Sequence, residues 1–96
     1  MYGTVARMYI KAGKETQFQQ ITQEVEGVRV PGEVAVYVYQ MDRDSREFFM
    51  AAIFESKAAY FANANSPEQH ERFMKLMQVL EAEPEWNDGE VVFSLL

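Results

Sequence analysis

Cysteine is absent from this 96-residue chain, which excludes disulfide bonds, thiolate nucleophiles and thiolate metal ligands together. Histidine occurs once, as His70. A hydrolytic Ser-His-Asp system would have to use it, and no serine has a context that would activate it. Zinc sites need several His or Cys ligands, and His70-Glu71 has no second histidine at H-E-x-x-H spacing. The five glycines form no Walker-type loop, no G-x-G-x-x-G after a strand and no G-x-S-x-G elbow. No apolar run approaches the roughly 20 residues of a membrane span. Met1 to Ile10 carry Arg7 and alternate polar with apolar residues, so they do not read as a signal peptide. Basic residues are also scarce, nine against fifteen acidic, giving a net charge of -6 and a pI near 4.7. A field of that sign repels phosphate backbones. These shortages point to a cytoplasmic protein with no metal, no bound cofactor, no nucleic acid and no membrane among its expected partners.

What the chain does have is apolar residues, at 48%, with 14% aromatic. A domain of this size buries only about 60 to 65% of its unfolded surface. Apolar surface is therefore left that one copy cannot hide. The length fits a single domain over residues 1–96.

Period-two alternation from Tyr2 to Ile10 predicts a first strand, with Tyr2, Thr4, Ala6, Met8 and Ile10 on one face and Val5, Arg7 and Tyr9 on the other. After the Lys11-Ala12-Gly13-Lys14 turn the period becomes helical, with Phe18, Ile21, Val25 and Val28 on one stripe and Gly27 as a candidate end. Pro31-Gly32 is a loop signal. Glu33–Met41 and Arg46–Glu55, joined by Asp42-Arg43-Asp44-Ser45, predict an antiparallel hairpin. Both strands are apolar on both faces, which implies a sheet covered on both sides.

Ser56 predicts the cap of a short helix reaching Asn63. Ser66-Pro67-Glu68-Gln69 carries the capping-box pattern with proline at the first helical position. The helix it opens places His70, Phe73, Met77 and Leu80 at helical spacing and stops by Pro84. After Asn87-Asp88-Gly89, residues Glu90–Leu96 read as a last strand. The order β-α-β-β-α-β, with its second helix broken in two, is an α+β, ferredoxin-like arrangement: a four-stranded antiparallel sheet with helices on one face. The other face has nothing in the chain to cover it, so the expected partner is a second copy, sheet against sheet.

The polar groups placed to meet apolar surroundings are Arg7, Tyr9, Tyr37, Tyr39, Tyr60, Asn63 and His70. Arg7 lies mid-strand, where a lone cation is costly to bury, so pairing with Glu47 or Glu55 is expected on the dimer side. Tyr37 and Tyr39 fit packing or interface roles. Trp86 fits a role pinning the acidic connector to the body or to the partner. His70 is read either as a solvated helix-start residue or as a proton acceptor in a pocket. The six methionines are adaptable core filling that would also suit a flat apolar ligand.

Four short segments then add a likeness: Lys11-Ala12-Gly13-Lys14-Glu15, Val30-Pro31-Gly32, Phe54-Glu55-Ser56-Lys57-Ala58-Ala59-Tyr60 and Ser66-Pro67-Glu68-Gln69. In order and spacing the chain resembles the antibiotic-biosynthesis-monooxygenase superfamily along nearly its whole length. That resemblance implies a dimeric α+β barrel. It also implies, for some members, oxidation of phenolic or anthrone substrates to quinones by molecular oxygen without metal or flavin. Haem-degrading members carry an asparagine on the first strand, a tryptophan at the end of the third and a histidine on the last helix. Here the first two positions hold Ala6 and Phe54, and His70 comes about a turn too early. The functional expectation is a cofactor-independent monooxygenase, or related enzyme, acting on a small aromatic or quinone-type compound. Its pocket is expected between the sheet and the broken second helix, with His70, Tyr60 and Asn63 as polar candidates. The competing expectation is a non-catalytic homodimer that binds a small apolar ligand or a protein partner.

Overall fold

Alternation in the first strand sorts its side chains as the sequence predicts. The structure is a computed structural model that describes residues 1–96. Strand β1 (Tyr2–Tyr9) buries Tyr2, Thr4, Ala6 and Met8 against the helices, while Val5 is exposed and Arg7 and Tyr9 are half-buried. Helix α1 (Glu15–Glu24) follows a turn at Gly13, whose φ of 82° suits glycine. It inserts Phe18 beneath β1 and ends at Glu24, with Val25 as its C-cap, ahead of Gly27. Val25 and Val28 consequently fall beyond the packed stripe and stay exposed.

Strands β2 (Glu33–Gln40) and β3 (Glu47–Phe54) form the expected hairpin, with a bulge between Glu33 and Ala35. Helix α2 (Lys57–Ala64) is capped by the Ser56 hydroxyl, which accepts from Ala59 N at 3.0 Å. Helix α3 (Pro67–Met77) is capped in the same way by Ser66, which accepts from Gln69 N at 3.2 Å. Only half of the predicted capping box forms. The Gln69 side chain accepts from Arg72 Nε, and Ser66 N donates to the Asn63 carbonyl that ends α2. α3 stops at Met77, well before Pro84, because Leu80 turns in to form an antiparallel bridge with Ile10.

The sheet has the order β2-β3-β1-β4, antiparallel throughout, which is the ferredoxin-like order the sequence predicts. The last strand is where the sequence reading needs correction. Strand β4 is Asp88–Glu90, not Glu90–Leu96. The segment from Val79 onward already runs antiparallel to β1, with Lys11 N bonded to Val79 O, Arg7 N to Glu85 O and Val5 N to Asn87 O. By Glu90 it has reached Tyr2, and Val91 N takes the carbonyl of Met1. The apolar segment after Val91 is not paired with β1.

The core lies between the sheet and α1 and α3. It is built from Met8, Ile10, Phe18, Val79 and Leu80, with Ile21, Phe48, Met50, Leu76 and Met77 packed around them. At about 25 cal/mol per Å² of apolar area buried, this layer is the main source of stability. The opposite face is open. Register places Val5, Ala51 and Tyr37 in one row and Arg7, Phe49 and Tyr39 in the next. Val5, Tyr37 and Tyr39 are 49%, 57% and 53% exposed, which is where the surplus of apolar residues sits. Strand β2 is exposed on its helix side as well, at Val36 and Val38, because the helices do not reach over that edge. No helix is long and apolar enough to cross a membrane.

Candidate functional site

Helix α2 builds an aromatic wall over one end of the sheet. β3 ends at Phe54, and the chain turns at Glu55, whose N–H donates to the Gly32 carbonyl. Ser56 then starts α2. Gly32, at φ 80°, lies so close to the helix that an added Cβ would come within 2.6 Å of the Ala59 Cβ. That close approach lowers Tyr60 onto the sheet. Its ring meets Phe54 edge-on at 5.6 Å, Tyr2 at 5.3 Å and Phe61 at 5.1 Å. Tyr2 also contacts Phe61, at 5.9 Å.

Beside this wall lies a small polar group. The Tyr60 hydroxyl donates to Asp88 Oδ1 at 2.8 Å. Asp88 stands opposite Thr4 in the β1–β4 ladder, so both side chains rise on the helix side next to Tyr60. Burial first, and the bond to Asp88 second, push the Tyr60 phenol up to about 12. The nearby Thr4 hydroxyl exerts a smaller opposite pull. Yet Thr4 Oγ1 is buried and makes no hydrogen bond of good geometry. A buried hydroxyl without a partner costs free energy and is uncommon in folded proteins.

The three residues singled out from sequence do not converge. Tyr60 joins the wall. Asn63, one turn on, faces α3, where its Oδ1 accepts from Arg72 at 3.4 Å. His70 is exposed on α3 and makes no side-chain hydrogen bond, so its shared stripe with Phe73 does not carry it into the space between helix and sheet. The reason is position: His70 stands in the first turn of α3, while the packed part of the helix begins at Phe73. Sequence reasoning missed Thr4 and Asp88. Thr4 was legible as the one polar residue on the buried face of β1, whereas Asp88 looked like an ordinary turn acid.

A second polar cluster occupies the open face. Glu47, with only 6% of its side chain exposed, accepts from Arg7 Nε at 2.6 Å and from Arg43 Nε at 2.5 Å. The pairing expected for Arg7 is thus with Glu47, and Glu85 adds a longer contact at 3.5 Å. Arg43 and Arg7 hold the Glu47 carboxyl below the usual carboxylate range. Tyr9 donates to Asp44 at 2.5 Å and lies under the Arg46 guanidinium, 4.8 Å from the ring centre. These charges compensate one another and leave no free cation for an anionic ligand. Trp86 packs against Phe73 at 6.3 Å, pinning the connector to α3.

Several depressions mark the surface, among them two that border the sheet and the helices. One, about 210 Å³, lies on the open sheet face over Gly3, Val5, Ala51, Ile53 and Gly89. The other, about 290 Å³, is a groove between α1 and α3 where Ile21, Val25 and Val28 face Glu68, Glu71, Arg72 and Lys75. Neither is lined by Tyr60, Asn63 or His70. No group of three His, Asp or Glu side chains is arranged to hold a metal ion.

With this geometry in view, the family model for antibiotic biosynthesis monooxygenase matches residues 1–76. Among solved structures, the chain is similar to SnoaB, a cofactor-independent oxygenase from Streptomyces nogalater. The TM-score is 0.84 at 14% identity, over 98% of this chain and 95% of that one. It is also similar to a conserved protein from Methanosarcina mazei Go1, with a TM-score of 0.82 at 21% identity, over 92% of this chain and 89% of that one. At these identities the likeness shows the fold alone. No curated protein matches the chain.

Proposed function

The chain belongs to the antibiotic biosynthesis monooxygenase family, and from that premise we propose that it is a cofactor-independent oxygenase for a small aromatic or quinone-type compound. The observation that carries the reading is the buried Thr4 hydroxyl, which lies near Tyr60 beside an aromatic wall without a hydrogen bond of good geometry. A flat substrate would stack on Tyr2, Phe54 and Phe61, and its oxygen would supply the hydrogen bond that Thr4 lacks. Helix α2 carries the wall and, like α3, has no fully buried residue, so it can yield to admit such a ligand.

For an anthrone-type substrate the reaction is CH2 plus O2 giving C=O plus water. One oxygen atom enters the product and the other leaves as water. The electrons come from the substrate anion, so the protein has to bind the ring, exclude water and accept a proton. Tyr60, held protonated to about pH 12, donates hydrogen bonds and is not the base at neutral pH. Asp88, bonded to Tyr60, is the available acceptor. Asn63 supports the site from the α2–α3 junction through Arg72.

Oxygen uptake with a panel of anthrones and hydroquinones tests the proposal. Turnover above the buffer rate that drops in Tyr60→Phe supports it. An uptake rate equal to buffer across the whole panel refutes it.

A second reading, a non-catalytic homodimer that binds a ligand or partner, is favoured by a different observation. The open sheet face is concave at Gly3, Val5, Ala51 and Gly89 and carries exposed Tyr37 and Tyr39 toward the β2 edge. A two-fold axis running along the strands lays each tyrosine ridge over the partner's depression. Such a dimer would close the apolar face in either reading. Ligand binding to the dimer without oxygen consumption would decide for the second.

A further inference from the structure

The half-buried arginines of this chain are paired with carboxylates, with one exception. Arg7 meets Glu47 and Arg46 meets Glu81. Arg72, half-buried on α3, has no carboxylate at ion-pair distance. Its Nε donates to Gln69 Oε1 at 3.2 Å and one Nη donates to Asn63 Oδ1 at 3.4 Å, both neutral amides. These two bonds fix the plane of the guanidinium and leave its other donors free. A cation partly withdrawn from water is costly without a further partner.

Glu33 faces it from the sheet. It stands opposite Phe54 in the β2–β3 ladder, so its side chain rises on the helix side, next to the aromatic wall. Burial raises the pKa of its carboxyl and the positive field of Arg72 opposes that rise, so the two groups sense each other without touching. Val36 and Val38 stay 43% and 41% exposed farther along β2, so this end of the site lies open at the sheet edge. A single oxygen bonded to both groups needs about 5 to 6 Å between them. That is more than an ion pair spans and still within Coulomb range. A hydroxyl fits the gap, because it donates to the carboxylate and accepts from the guanidinium. A ligand carboxylate would meet repulsion from Glu33, and an ammonium repulsion from Arg72.

Position in the sheet sets a second requirement. Thr4 lies on β1 and Glu33 on β2, with β3 between them, so their columns are roughly 10 Å apart. A fused ring system spans that separation once the hydrogen bond at each end is counted. The row Glu33, Phe54 and Tyr2 puts the stacking surface of the wall alongside.

We propose that Glu33 and Arg72 form a recognition subsite for a phenolic hydroxyl at the end of the substrate remote from Thr4, with Arg72 donating to its oxygen and Glu33 accepting its O–H. Asn63 and Gln69 hold the guanidinium in plane for this contact. The pair orients the substrate and takes no part in proton transfer at the reacting carbon. The inference rests on the aromatic-substrate reading above and adds to it that the ring system carries oxygen at both ends.

An acetylnaphthol, with ketone and hydroxyl at opposite ends, and its methyl ether test the subsite by fluorescence titration. Neither is an oxygenase substrate, so binding is read without turnover. The wild type should bind the naphthol at least tenfold more tightly than the ether, the scale of a hydrogen bond to a charged group. Glu33→Ala and Arg72→Met should each bring the ratio close to one, a change of selectivity that a merely structural role would not produce. Equal affinities in the wild type, a ratio that either variant leaves intact, or binding of neither compound overturns the subsite. The expected ratios together with no oxygen uptake from any anthrone or hydroquinone leave the subsite standing and remove the oxygenase reading.

Discussion

Replacing Tyr60 by phenylalanine isolates the electrostatics of the candidate site. In the folded protein the phenol is raised from 10.0 to about 12, first by burial and then by its bond to Asp88. Two units correspond to about 2.7 kcal/mol of preference for the protonated form. The ring is half-buried, so solvent screening reduces the useful part to about 1 kcal/mol. The sign follows from the raised value. The fold favours the neutral phenol, so its stabilisation is complete below pH 10 and is lost as pH rises toward 12. A difference titration of phenolate absorbance, wild type minus Tyr60→Phe, should show one phenol ionising near 12. Denaturant unfolding should show the wild type losing about 1 kcal/mol more than the variant across that interval. Asp88→Asn, which keeps the burial and removes the acceptor charge, should bring the phenol part of the way down. If the missing phenol ionises near 10, then Tyr60 is neither buried nor bonded as described, and its role as a fixed donor fails.

Two further outcomes follow from the same structure. Thr4→Val removes a buried hydroxyl that has no partner, so stability in denaturant should be unchanged or rise by about 1 kcal/mol. A loss larger than that would mean the hydroxyl is satisfied in solution. For Glu47, Arg43 first and Arg7 second hold the carboxyl low, so its stabilisation is present above the ordinary carboxylate range and disappears as pH falls through the lowered value. Glu47→Gln should therefore be less stable than wild type at neutral pH, and the gap should close in acid. A gap independent of pH would show that the ion pairs do not form.

The elements were legible because each depends on local chemistry. Ser56 and Ser66 cap their helices through bonds that span three residues, and the faces of β1 follow from strict alternation. The partner of Arg7 was narrowed to Glu47 or Glu55, because a cation on a strand needs a nearby carboxylate, and the structure selects Glu47. The candidate site was legible only in part. Tyr60 could be placed on a helix from its neighbours, but its contacts with Thr4 and Asp88 join residues from opposite ends of the chain. Which of the two readings of His70 applies was not legible for a related reason. Helical spacing assigns a stripe, but it does not say where along the helix the packing begins.

The sequence by itself determined the order of strands and helices, the absence of thiol and histidine-cluster chemistry, the acidic field and the surplus of apolar side chains. Each of these follows from composition or from spacing of a few residues. Only the tertiary structure decided that the chain after Leu80 pairs with β1 early, so that Val92–Leu96 lie exposed instead of forming the last strand. It alone decided that the helices stop short of β2 and that an unsatisfied threonine lies beside the aromatic wall. Those outcomes depend on register between segments up to some 80 residues apart. Register is set by the whole sheet closing at once, and no local pattern encodes it.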